Sequence, residues 1–161
     1  MKVVRHCMKG FTLIEMVVTV ALVALLASIV TPMAQMTVQR SKEQELKIAL
    51  RQIREAIDAY KKAGDEGRVY RSGMTTGYPE NLQVLVDGVP DQRDLKGKKI
   101  FFLRRLPRDP MATDSRLPAE RTWGLRSYAS EGAAPQPGDD VYDVYSMKSG
   151  AGLNGVPYKE W

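Results

Sequence analysis

One carboxylate in this chain stands apart. Glu15 follows Gly10 by five residues, lies in an apolar run, and is followed by no further charge before Pro32. An acid at membrane depth is costly and calls for a positive partner. Other groups able to do chemistry are few. His6 and Cys7, the sole imidazole and thiol, both precede Gly10. A hydrolase would then have to use carboxylates or a Ser–Lys pair, and Asp139–Asp140, adjacent in a loop rich in Pro and Gly, are poorly held for acid–base work. No glycine loop is placed to cradle a phosphate, and no His or Cys spacing suits a metal. No catalytic residue, metal ligand or cofactor is therefore assigned. Arg104, Arg105, Arg108 and Arg116 read as a solvated basic face, with contact to a neighbouring subunit or partner as the second reading.

The element that must position Glu15 is the apolar run itself. Residues 11–31 number 21, which in a helix span about 30 Å, one hydrocarbon core. Their 12 Phe, Leu, Ile and Val residues gather roughly −5 kcal/mol for insertion, against a few kcal/mol for one acid near an end of the span. Insertion wins. Lys2, Arg5 and Lys9 precede the span, so the positive-inside rule keeps the leader cytoplasmic and sends the remainder across. A secretory signal would have a shorter core and a better cleavage site than Ala27-Ser28. A plain signal anchor would explain the length and leave Glu15 without a reason.

The stretch Gly10-Phe11-Thr12-Leu13-Ile14-Glu15, behind a basic leader and ahead of a membrane-length helix, resembles the signal of the type IV prepilin family, which includes pilins and the pseudopilins of type II secretion. The resemblance implies that a prepilin peptidase cuts between Gly10 and Phe11 and methylates the new amino terminus at Phe11. It also implies that Glu15, fifth in the cut chain, pairs with the Phe11 amine of an adjacent subunit to set register. Pro32 stands where such chains bend their helix.

Beyond Pro32 the pattern turns amphipathic. Leu46, Leu50, Ile53, Ile57 and Tyr60 recur at steps of four and three, with Ala49 and Ala56 widening the stripe, and predict a helix face buried against the chain's own domain. Arg51–Glu55, Arg54–Asp58 and Asp58–Lys62 are i,i+4 pairs on its wetter side. Gly64 and Gly67 end the pattern, so one helix over 11–63 is the economical reading, although proline removes a hydrogen bond within it. Residues 78–86 suggest one or two helical turns and 87–91 a turn. Residues 100–103 fit a buried strand or a helical turn equally, and 106–110, with two prolines, must be irregular. Residues 122–129 and 141–147 predict an antiparallel strand pair, and Trp161 is expected to tuck the tail against that sheet. The fold class is α+β, a long amino-terminal helix packed on a small antiparallel sheet. The division expected is a cleaved leader, 1–10, a transmembrane and assembly half-helix, 11–32, and a periplasmic domain, 33–161, whose helical part is 33–63. Without Lys2, Arg5 and Lys9 the chain sets 21 basic residues against 19 acidic ones, a near-neutral balance that gives no case for nucleic acid.

Leu106-Pro107-Arg108-Asp109-Pro110, residues 123–128, residues 140–146 and Trp161 look like the secretion protein G family, the major pseudopilins. The resemblance implies a structural role without catalysis. It also implies residence as a single-pass inner-membrane protein with a cytoplasmic amino terminus, then in a filament. Partners would be copies of itself, minor pseudopilins, the prepilin peptidase and the inner-membrane assembly platform. A type IV pilin or minor pilin is the alternative, and a membrane-anchored binding module or enzyme is the alternative from another class. Many G-type members bind calcium in the loop after the last strand. Residues 147–159 contain no Asp or Glu here, and calcium wants six to eight oxygens, usually with several carboxylates. Asp139, Asp140 and Asp143 lie on the entering side and read better as solvated strand-end acids, with Asn154-Gly155 holding the loop by hydrogen bonds and turns.

Overall fold

A computed structural model describes residues 10–161 except Met74 and Ala133, together with all side chains of its helices and strands but Ile29 and Thr31. The leader, Gly10 apart, lies outside the described residues. The dominant element is α1, Leu13–Asp65, with Pro32 in its interior. It closes at Gly67, whose φ of +71° is open to glycine, with Arg68 N–H donating to the Ala63 carbonyl at 2.9 Å and Gly67 N–H to Gly64 at 3.0 Å. That is the left-handed helix stop that a C′ glycine permits. Gly64 is thus inside the helix rather than beyond its end.

Contacts divide the chain at Gln39. In the unit Arg40–Trp161, the stripe read from the sequence is the core. Leu46, Leu50, Ile53 and Ile57 are at most 2% exposed, and they cluster with Leu82, Leu85, Trp123, Val141, Val144 and Tyr158. A buried Leu or Ile contributes about 1.5–3 kcal/mol, so this face anchors the domain. The charged flank behaves differently from expectation. Among the described residues none of the three expected helix pairs forms an ion pair; Lys61–Asp65 is the i,i+4 bridge, and Arg54 turns to Asp143 at 2.7 Å. A tertiary carboxylate together with two carbonyls outcompetes a helix neighbour worth a few tenths of a kcal/mol.

The helical turn in 78–86 is α2, Val84–Asp87. Residues 87–91 differ from the turn expected, because β1, Val89–Pro90, pairs antiparallel with β2, Lys99–Ile100. Proline survives in so short an edge strand because no ladder N–H is needed at it. The hairpin is fixed to the end of α1 by Arg68, which reaches Asp91 at 2.7 Å. β3, Trp123–Arg126, and β4, Asp143–Ser146, form the expected antiparallel pair, Trp123 facing Ser146 and Arg126 facing Asp143. Gly124 is required here, since a Cβ would lie 2.3 Å from the Tyr145 ring. The irregular 106–110 segment is bound to this pair. Trp123 Nε1–H donates to the Pro107 carbonyl at 2.9 Å, and the Ser146 hydroxyl to Asp109, itself 2% exposed, at 2.6 Å.

The tail returns to the sheet as expected, its short turn Tyr158–Glu160 packing on β4. Trp161 also meets α1, with the Lys47 ammonium 4.7 Å from its ring centre and Arg54 donating to its main-chain oxygen at 2.6 Å.

Candidate assembly segment

The amino-terminal unit is a helix that buries nothing of itself. Every classified residue from 10 to 38 is exposed, Phe11 at 78% and Leu13 at 82%. Its most apolar 18-residue window has a mean hydropathy of 2.6, long and apolar enough to cross a membrane. Three of the described hydroxyls within it are satisfied locally. Thr19 donates to the Met16 carbonyl at 2.9 Å, Ser28 to Leu25 at 2.7 Å and Thr37 to Met33 at 3.0 Å. Such back-bonding removes the cost of bringing a bare donor into hydrocarbon.

Glu15 occupies the first turn of this helix. Its N–H donates to Thr12 Oγ1 at 3.2 Å, while Met16 N–H donates to the Thr12 carbonyl, also at 3.2 Å. Thr12 is therefore the N-cap, a role the sequence reading passed over although Thr12-x-x-Glu15 is the capping-box pattern. The acid gains from the helix dipole, about 0.3–1 kcal/mol. That is less than the roughly 2.5–3.5 kcal/mol that a charge costs at a bilayer centre. Among the described residues Glu15 makes no ion pair. Phe11, Glu15 and the apolar face thus lie together on one exposed helix end.

Of the three strand-end acids, Asp139 is exposed as expected, whereas Asp140 and Asp143 are engaged rather than solvated. Asp140 is 7% exposed. Burial alone would raise its pKa, but hydrogen bonds from the Thr76 hydroxyl, the Tyr128 N–H and the Ser127 hydroxyl outweigh it and hold the carboxyl below its ordinary range. Asp143 is shared between Arg54 at 2.7 Å and Arg126 at 3.3 Å. The arginine cluster also divides. Arg108 holds the carbonyls of Asp114 and Leu117, whereas Arg104, Arg105 and Arg116 are exposed.

Residues 5–31 match the family model described as the prokaryotic N-terminal methylation motif. The chain carries that motif at its amino terminus and is similar beyond it to curated relatives over most of its length. It is 28% identical over 141 residues to the type II secretion system core protein G of Klebsiella michiganensis, covering 84% of this chain and 91% of that protein. The core protein G of Klebsiella pneumoniae is 28% identical over 139 residues, 83% of this chain and 91% of the relative. The type IV major fimbrial protein FimA of Dichelobacter nodosus is 36% identical over 72 residues, 45% of this chain and 46% of its own. No solved structure matches. The donor set of the carboxy-terminal loop does not fit a calcium ion. Residues 147–159 offer no carboxylate, Asp140 and Asp143 are turned to protein donors, and no cluster of three acidic, His or Cys groups exists among the described residues.

Proposed function

We propose that this protein is a pseudopilin, a structural subunit of the periplasmic pseudopilus of a type II secretion system. The observation that carries the reading is the likeness to core protein G over most of the chain, joined to a methylation signal at the head of an exposed apolar helix. In this reading the prepilin peptidase cuts between Gly10 and Phe11 and methylates Phe11. Each subunit then waits in the inner membrane, its domain on the periplasmic side. An assembly platform lifts it into the base of a filament that also contains minor pseudopilins. There the apolar helices exchange lipid for one another, and the Phe11 amine of one copy neutralises Glu15 of the next. Burying either charge alone would be costly, so the pair specifies register. Pro32 lies in the helix near the end of the span and is the place for a bend.

A type IV pilin is the second reading, favoured by the shorter match to FimA. Deleting the gene in its own bacterium separates the two. The pseudopilin reading predicts that secreted proteins accumulate in the periplasm while surface pili persist. Loss of pili with normal secretion would contradict it.

A further inference from the structure

The loop that lacks calcium ligands is nevertheless closed. Glu43, on α1 and 8% exposed, accepts through Oε1 from the Leu153 N–H at 3.0 Å and from the Tyr158 hydroxyl at 2.9 Å. Inside the loop Gly152 N–H donates to the Val156 carbonyl at 2.9 Å, and Val156 N–H to Asn154 Oδ1 at 3.1 Å. Ala151 and Pro157 form an antiparallel bridge. Gly152 must lack a side chain, because a Cβ would lie 2.2 Å from the Trp161 ring. Eleven residues along α1, three turns and hence the same face, Arg54 donates to the main-chain oxygens of Val144 at 3.1 Å and Trp161 at 2.6 Å. Lys47, between them, covers the indole.

The polarity decides what closes the loop. A cation site turns carbonyls and carboxylates inward, whereas this loop turns an N–H and a hydroxyl toward a carboxylate supplied by the helix. We propose that residues 147–161 form a strap buckled onto α1 by Glu43, with Arg54 as the second fastening, and that this internal anion closes the loop in place of a divalent cation. The strap shields the Leu46 and Leu50 side of the core, so the domain keeps its form when calcium is scarce.

Limited trypsin digestion of the full-length chain in detergent tests this, reading cleavage after Lys148 by mass spectrometry against cleavage after Lys98 in the distant hairpin. The wild-type rate at Lys148 should be equal in EDTA and in added calcium. Glu43→Ala should raise it about tenfold and Tyr158→Phe about threefold, both without change at Lys98, because local opening exposes the strap alone. Calcium protection of the wild type, or Glu43→Ala and Tyr158→Phe cleaved at the wild-type rate, would overturn the proposal. Equal acceleration at Lys98 would mean general unfolding and would overturn it as well.

Discussion

At Glu15 two physical demands meet. The helix dipole and the Thr12 cap favour an acid in the first turn, and any small gain there is available to a soluble protein too. Hydrocarbon penalises the same charge. In the proposed filament a positive partner from another copy would reconcile the two, and the consequence is specific. Glu15→Ala should insert and be processed normally, yet yield at most about a tenth of the wild-type filament by shearing and sedimentation, since the buried amine then lacks its counter-charge. Wild-type yield from that variant would remove Glu15 from assembly. Gly10 and Glu15 stand out in the sequence because unusual residue types occupy fixed places in or beside an apolar run. Thr12 carries an equally visible signal, the capping-box pattern with Glu15. Arg54 could not be read from sequence at all. Its nearest expected partner was Asp58, and only folding brings Asp143 and two carbonyls to it.

Among the elements, α1 was readable because its period persists over many turns, and periodicity is the strongest local signal. The strand pair was readable from two short runs of aromatic and β-branched residues. The first hairpin was not, because β1 is two residues with a proline and its existence depends on Arg68, Asp91 and the end of α1. The return of the tail to the sheet was readable from its terminal aromatic, whereas its contact with α1 was not, because an aromatic residue signals burial without saying against what. Within the sheet, Gly124 carries a sharp test. Its replacement by Ala must displace the Tyr145 ring, an overpacking that costs about 1–3 kcal/mol. The melting temperature should fall by several degrees, at roughly 4 °C per kcal/mol in a domain this size. A melting temperature equal to the wild type would show that the β3–β4 contact is looser than described.

For the whole molecule, acid should loosen the domain. The Asp140 carboxyl titrates below its ordinary value because three donors favour its charged form over the penalty of burial. A depressed folded-state pKa contributes stability that is fully present above the unfolded value, about 3.9. That contribution is lost as pH falls through the lower folded value. Thermal unfolding in detergent should therefore hold steady down to about pH 4 and weaken below it. Asp140→Asn should flatten that decline, and an unchanged acid limb would assign the loss to other carboxylates.

The claim on which the rest depends is that this chain is cut and used as a polymer subunit rather than kept as a tethered domain. The most direct measurement is mass spectrometry of the amino-terminal peptide of the protein recovered from sheared filaments and from the inner membrane. A peptide beginning at N-methylated Phe11 in both fractions is the predicted result. An intact Met1 in the membrane, with no filament fraction, would contradict the account.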